Sequence, residues 1–273
     1  MKIEVYGQNH SPWVQATLLG LHHKQLDYTL QTATPLTVFR EKGVMMPAAR
    51  FDGGPWEYES GDHLQRIGYD GIAPEDLTMI RGAWQGVMHR PDSSLGFFNA
   101  FSRAGDPSRN PLRRLVQNLL RSYSTFYFFT LIKGFVLRSG HTDPEDWAEP
   151  FLGWEARIGE TEQPFLDGDE PGATDIILFG IIQCHCSIPV PPLNALRFDP
   201  RLENFRAWLG RMHEAFSGYP YLYSARYFEP AVTVPQDAGL LDRLAFYLGA
   251  GVLFLLFPVT VPFAMYQASQ VRR

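Results

Sequence analysis

The segment from Leu244 to Tyr266 contains no charged side chain, and it constrains the fold of this chain more than any other feature. It reads LAFYLGAGVLFLLFPVTVPFAMY over 23 residues. As one helix, this length measures about 35 Å, enough to cross a hydrocarbon core of about 30 Å. Pro258 and Pro262 are tolerated inside membranes. The segment therefore predicts a single C-terminal transmembrane helix over 244–266. The alternatives are a re-entrant hairpin kinked at Pro258 and a helix that packs on a partner protein.

The charge balance argues against nucleic acid as a partner. The chain has 24 Lys and Arg against 29 Asp and Glu, a net charge of −5, whereas phosphate binding needs a basic surface. Its two cysteines are Cys184 and Cys186; this spacing cannot form a disulfide framework and favours a reducing compartment. Neighbours one and two positions apart on a helix point in different directions, so we expect no metal site at Cys184-His185-Cys186. The N-terminus has no apolar stretch of the kind found in secretory signals.

The first residues indicate a parallel pair of strands. Residues 2–6 and 26–31 are predicted strands. Between them, a helix is predicted to begin at Pro12, because serine is a favourable N-cap and proline suits the first helical position. A strand, a crossover helix and a second strand imply a parallel pair with a right-handed connection.

A hairpin follows. After Pro47, residues 48–51 read as a short strand, and Asp52-Gly53-Gly54 is a strong turn signal before a partner strand over 56–59. Residues 32–45 are predicted to be mostly loop, and Ser60 is predicted to begin another helix.

The rest of the chain has no strand signal. Helical periodicity is found at 75–91, 110–138, 144–159, 175–187 and 201–216. The order of elements predicts an α/β domain over 1–70, an all-helical domain over 77–230 and the hydrophobic tail over 244–266.

This order of elements and four motifs resemble the glutathione transferase family. The motifs are YGQNHSPWV, GVMMPAARFDGGPWEYES, FLDGDEPGATDIILFG and DPRLENFRAWLGRMHEAF, which together span residues 6–216. The resemblance implies a thioredoxin-like N-terminal domain followed by an all-α C-terminal domain. The transmembrane tail is a departure from that family.

The resemblance also implies a glutathione site in the first domain. A cis-proline at Pro47 would present the backbone of Met46 to the peptide-like ligand as an added strand does. Glu59 and Ser60, at the start of a helix, would hold the γ-glutamyl carboxylate, because free N–H groups and the helix dipole favour an anion there. The Ser11 hydroxyl would point at the sulfur and favour the nucleophilic thiolate.

Other side chains are assigned through the same resemblance. Tyr6 is the alternative hydroxyl donor to the sulfur. Trp84, His89 and Tyr123 would line the pocket for an apolar co-substrate. Asp175 is expected to accept hydrogen bonds from nearby backbone N–H groups, a structural role. Asp62 and His63 depart from the family pattern, which usually has apolar residues there.

Two functions are consistent with these observations. The first is an enzyme that conjugates or reduces hydrophobic electrophiles with glutathione at a membrane surface, with glutathione as co-substrate. The second is a non-catalytic membrane-anchored adaptor that resembles the metaxins and acts in protein assembly. In either case the expected partner is a lipid bilayer, with the globular domains on the cytoplasmic side. A homodimer is possible, as is usual in the family.

Overall fold

The computed structural model describes residues 1–88, 94–106, 108–139, 146–188, 190, 192–229, 232–233 and 235–269. Its strands are β1 (Ile3–Tyr6), β2 (Tyr28–Gln31) and β3 (Ala48–Phe51). The helices, in chain order, are α1 (Pro12–His23), α2 (Leu36–Lys42), α3 (Ser60–Arg66), α4 (Pro74–Met88), α5 (Ser94–Ser102), α6 (Pro111–Ser139), α7 (Glu149–Glu160), α8 (Ala173–Ser187), α9 (Pro192–Phe198), α10 (Glu203–Ala215), α11 (Leu240–Leu255) and α12 (Phe257–Ser269). Short 3-10 helices lie at Pro200–Leu202 and Tyr223–Arg226.

The sheet contains the predicted parallel pair, and β1 is its central strand. Its order is β2-β1-β3, with β1 parallel to β2 and antiparallel to β3. The turn after β3 has φ values of 49° at Asp52 and 74° at Gly53, as a two-residue hairpin turn requires. The returning segment meets β3 only in a bridge between Ala49 and Glu57. The predicted strand over 56–59 is therefore wrong as a regular strand.

The prediction of loop over 32–45 is also wrong, because the segment contains α2. This helix follows Pro35, and Gly43, with φ of 65°, ends it. It has seven residues, of which only Val38 is buried. So short a helix with one core residue does not produce the apolar periodicity by which helices are recognised in a sequence.

Helix α1 joins the two parts of the chain. It packs along α8, where Gly180 permits a close approach: a Cβ at this position would lie 2.6 Å from the Pro12 carbonyl oxygen. Every residue of α8 is buried. One hydrophobic cluster includes Val5 and Leu18 as well as Phe179 and Trp208, so the sheet and the later helices share a continuous core. The fold prediction for the two halves, a small thioredoxin-like sheet followed by helices, is confirmed.

Asp175 has the predicted structural role at the start of α8. Its carboxylate is fully buried and accepts hydrogen bonds from the backbone N–H groups of Leu166 (2.9 Å) and Gly172 (3.2 Å). The indole Nε1 of Trp208, on α10, donates a further bond of 2.7 Å. The side chain therefore holds the preceding turn, the helix N-terminus and α10 together.

The single helix predicted over 244–266 is not found. Helices α11 and α12 meet at 92°. Pro258 has no N–H to donate to the carbonyl of Phe254, and its ring would clash with that carbonyl. At the bend, the Thr260 hydroxyl lies 3.1 Å from the carbonyl oxygens of Leu253 and Leu256. The Leu256 carbonyl also accepts from the Val259 and Thr260 N–H groups, both at 2.9 Å, so hydrogen bonds are kept across the bend.

Among the described residues, no one helix has both the length and the apolar composition to cross a bilayer. Two bent pairs meet both criteria when each is taken together: Ala173–Ser187 with Pro192–Phe198, and Leu240–Leu255 with Phe257–Tyr266. The first pair includes the wholly buried α8. The second is the tail, and it packs on the chain's own α6.

The packed side of the tail is small and aromatic. Ala245, Phe246, Gly249 and Ala250 of α11 are buried, and Phe246 belongs to a cluster with the rings of α5 and α6. The tail therefore has two apolar sides. One packs on the helical domain, and the other is exposed.

Candidate functional site

Strand register brings the three predicted glutathione-binding segments to one end of the sheet, where β1 finishes and β3 begins. In the antiparallel β1–β3 pair, Tyr6 is opposite Ala48, so Gly7 follows β1 beside Pro47. On the side of β3 away from β1, the bridge between Ala49 and Glu57 places the segment before α3 beside the start of β3. The Met46–Pro47 peptide bond is cis, as predicted.

The loop after β1 is tightly held. The backbone N–H of Gln8 donates to the Met46 Sδ at 3.2 Å, and the N–H of Ser11 donates to the Gln8 carbonyl at 2.9 Å. Ser11 precedes α1, and its side chain makes no capping bond to that helix. It is 9% exposed. The hydroxyl is thus free to donate to a ligand, although the residue is almost wholly buried.

Tyr6 lies deeper. It is fully buried, and its hydroxyl is 2.7 Å from Thr34 Oγ1 and 3.3 Å from the Val44 carbonyl oxygen. Burial raises the pKa of Tyr6 to about 12. These contacts fix the Tyr6 side chain within the sheet layer, and a role as thiolate donor stays a prediction.

The Glu59–Ser60 pair begins α3 as expected. Ser60 is the first residue of the helix and is buried, whereas Glu59 is exposed and has extended backbone dihedrals. The carbonyl of Glu59 accepts the first helical bond, from His63 N–H at 3.1 Å. The pair therefore offers a helix N-terminus with one buried hydroxyl and one exposed carboxylate.

His63, which departs from the family pattern, has a structural explanation. Its ring is buried, with Nε2 donating to the Glu57 carbonyl at 3.0 Å and Nδ1 3.0 Å from the Thr17 hydroxyl. Burial lowers the pKa of His63 to about 4, so the ring is neutral at pH 7. The histidine connects α3 to Thr17 of α1 and to Glu57, the residue that bridges to β3. Asp62, its neighbour, is exposed.

The residues predicted to line a co-substrate pocket lie in different surroundings. Trp84 packs against the main core, with its ring 5.9 Å from that of Trp13. Tyr123 belongs to a separate cluster with Val44 and Ala264, the latter on α12. His89 lies outside the described residues.

A buried polar cluster between the loop and α6 was not predicted from the sequence. It contains His10 and Gln8 from the loop and Arg121 from α6, all at most 2% exposed. Both ring nitrogens of His10, Oε1 of Gln8 and all three guanidinium nitrogens of Arg121 have no hydrogen-bond partner among the described residues. Rings of Phe101 and Tyr223 cover His10 at 4.9 and 5.2 Å. No sequence signal sets Arg121 apart, because α6 also contains Arg113, Arg114, Lys133 and Arg138.

Within the described part of the chain, no group of three or more His, Cys, Asp or Glu side chains is placed to bind a metal ion.

The surface has two open depressions. Residues of α7 and α10 line the first, and the region of Trp147 and Phe198 lines the second. Neither includes a residue of the candidate glutathione site.

No family model and no curated protein matches the sequence. Solved structures are similar in fold. A theta class glutathione S-transferase from Xanthomonas axonopodis pv. citri with glutathione bound is 19% identical, covers 85% of this chain and 99% of its own, and has a TM-score of 0.41. Glutathione transferase F2 from Populus trichocarpa is 15% identical, with coverages of 79% and 96% and a TM-score of 0.42. Glutaredoxin 2 from Salmonella typhimurium in complex with glutathione is 17% identical, with coverages of 81% and 97% and a TM-score of 0.44.

Proposed function

We propose that this chain is a glutathione transferase-like enzyme that conjugates or reduces hydrophobic electrophiles with glutathione at a membrane surface. One observation carries the proposal: by strand register, the loop after β1, the cis Met46–Pro47 bond and the segment before Ser60 lie at the same end of the sheet.

Each segment contributes a different interaction with the tripeptide. The backbone of Met46 pairs with the cysteinyl residue, as an edge strand pairs with a peptide. The N-terminus of α3, with the Ser60 hydroxyl, binds the γ-glutamyl carboxylate. The Ser11 hydroxyl donates a hydrogen bond to the sulfur and stabilises the thiolate, which then attacks the electrophile.

The tail supports action at a membrane surface. The outward side of the bent pair exposes large apolar residues: Leu244, Leu248, Val252, Leu255, Leu256, Phe257, Val259, Phe263, Met265 and Tyr266. An exposed apolar patch of this size marks an interaction site. With 16 and 13 residues, α11 and α12 are about 24 and 20 Å long, each too short to cross a bilayer. We propose that the pair lies in one leaflet, with the rest of the chain on the cytoplasmic side.

A second candidate function is a non-catalytic membrane-bound adaptor. It is favoured by the burial of Ser11 and by the bond between Gln8 N–H and Met46 Sδ, which occupies a backbone donor beside the thiol position. An adaptor keeps the fold without binding glutathione.

Titration calorimetry with reduced glutathione separates the two. The enzyme proposal expects saturable binding at millimolar glutathione, weakened in Ser60→Ala and unchanged in Ser217→Ala, an exposed serine after α10. Ser11→Ala should retain binding but lose turnover of an apolar electrophile. Absence of binding at millimolar glutathione would favour the adaptor.

Membrane binding is tested by flotation with liposomes. Leu248→Glu and Leu255→Glu place charges on the outward side of α11 and should abolish flotation. Leu36→Glu, on the exposed side of α2, is the matched control and should float as the unmodified chain does. Equal flotation of all three variants would contradict the proposed orientation.

A further inference from the structure

The guanidinium group of Arg121 is in the interior of the protein without a hydrogen-bonded counter-ion among the described residues. Arg121 is 0% exposed, and its Nε, Nη1 and Nη2 atoms are all unpaired. The ring of Phe246, on α11, lies 4.8 Å from its central carbon and covers it. Burial lowers the pKa of Arg121 to about 10, so the group stays positively charged at neutral pH.

Two carboxylates, those of Asp106 and Asp242, act on the charge of Arg121. Neither forms a hydrogen bond with its guanidinium. Their oxygens accept hydrogen bonds from the Thr32 hydroxyl, the Ser108 N–H, Arg114 Nε and Asn118 Nδ2. A buried charge without a hydrogen-bonded partner is strongly unfavourable. The five N–H donors of Arg121 are therefore available to a bound anion.

His10, in the loop after β1, is a second buried group without a hydrogen-bond partner near this cation. Its ring is 2% exposed, both nitrogens are unpaired, and the charge of Arg121 acts on it. Burial lowers the pKa of His10 to about 3, so the neutral ring offers one N–H donor. A guanidinium fork together with a nearby imidazole N–H matches the oxygens of a carboxylate or a phosphate.

The surroundings of these donors are aromatic. Phe97, Phe98 and Phe101 of α5 and Phe246 of α11 form one cluster beside them. A small hydrated ion does not fit such walls, whereas an amphipathic molecule with an anionic head and an apolar body does.

We propose that Arg121 and His10 bind the oxyanion head group, a carboxylate or a phosphate, of an amphipathic ligand whose apolar body packs among the rings of α5 and α11. This site, the Arg121 site, adjoins the loop that ends at Ser11, and an anion should bind there without glutathione at Ser60. Because Phe246 covers the guanidinium, binding and the docking of α11 on α6 are coupled.

The test uses the full-length chain in an uncharged detergent. Decanoate, decyl phosphate, decanol and inorganic phosphate are titrated by calorimetry against the unmodified protein, Arg121→Met and Arg114→Met. The control Arg114 lies two turns earlier on α6, is partly exposed and pairs with Asp242. Loss of charge-assisted hydrogen bonds should weaken binding of decanoate or decyl phosphate at least about tenfold in Arg121→Met. Arg114→Met should bind as the unmodified chain does.

The two anions distinguish the source of the ligand. Preference for decanoate indicates a fatty-acid-like ligand, and preference for decyl phosphate indicates a lipid head group. Equal binding by Arg121→Met and the unmodified chain, or decanol binding as tightly as the anions, overturns the proposal. Binding of inorganic phosphate alone overturns the amphipathic part of it.

Two further measurements keep the test decisive. Arg121→Met should unfold in urea at least as late as the unmodified chain without ligand, because an apolar side chain replaces an unpaired charge. If it does not fold, Arg121→Lys keeps the charge without the fork and should still weaken anion binding.

Glutathione is titrated against Ser60→Ala and Arg121→Lys. Glutathione affinity that requires Arg121 rather than Ser60 would contradict the assignment of two distinct binding sites. If glutathione does not bind at all, the result for the anions still stands.

Discussion

Gly249 of α11 lies directly against Ser122 of α6, so that a Cβ on the glycine would overlap the serine Oγ and the nearby carbonyl of Leu119. This close contact between the tail and the helical domain explains why α11 docks at this register. Two helices approach so closely only where a side chain is missing.

Gly249→Ala should separate α11 from α6. Overpacking of this kind costs about 1–3 kcal/mol, measured as a shift of the urea unfolding midpoint. Gly251→Ala is the control, since nothing lies within 4 Å of its Cβ position. There, the higher helix propensity of alanine should stabilise the chain by up to about 1 kcal/mol. Equal effects at the two positions would show that the tail does not pack as described.

Asp175→Asn should be strongly destabilising. The carboxylate accepts bonds through both oxygens, from Leu166, Gly172 and Trp208 among others. The amide keeps one acceptor and directs an NH₂ group at other donors, so we expect a loss of about 2–4 kcal/mol of unfolding free energy. Asp169→Asn, on an exposed position of the same turn, should change stability by less than about 0.5 kcal/mol.

The unfolding free energy should fall as the pH drops below 6.5. Burial lowers the pKa of His63 and His213 to about 4 and that of His10 to about 3. The unfolded chain therefore binds protons that the folded chain does not, and stability rises with pH between these values and 6.5. Each histidine contributes up to about 1.4 kcal/mol per pH unit.

His63→Gln should lower this slope by the share of one histidine. Urea unfolding at pH 7.0, 6.0 and 5.0 measures it. A stability that does not change between pH 7.0 and 5.0 would mean that these rings are not held neutral.

Tyr6→Phe should affect stability rather than glutathione affinity. The Tyr6 hydroxyl is bonded to Thr34 inside the sheet layer, and its loss should cost about 0.5–1.5 kcal/mol. Thr34→Val combined with Tyr6→Phe should cost less than the sum of the two single variants, because both remove the same bond. A large fall in glutathione turnover at unchanged stability would instead make Tyr6 the thiolate donor.

The first half of the fold was largely readable from local signals. Ser11 and Pro12 mark the start of α1, and Asp52-Gly53 marks the turn that the structure shows with two positive φ values. The role of Asp175 was predicted through the family resemblance, and it agrees with the backbone donors that a helix N-terminus offers to a carboxylate. Helix α2 was missed because its single buried residue leaves no period to detect.

The tail shows where sequence reasoning ended. The absence of charge over 244–266 correctly marked an unusual apolar segment, but that same composition suits a spanning helix, a bent pair and a helix packed on its own domain. Pro258 decided for a bend, and the contact between Gly249 and α6 decided which side is buried.

The sequence by itself determined the local elements: where helices begin, where the hairpin turns and which segments are apolar, because these depend on residues close together in the chain. Only the tertiary structure decided that the loop after β1, the cis Met46–Pro47 bond and the segment before α3 lie at one end of the sheet. It also decided that His63 is a core residue and that Arg121 lies unpaired beside His10. Pairings between distant residues depend on strand register and helix packing, which no local pattern encodes.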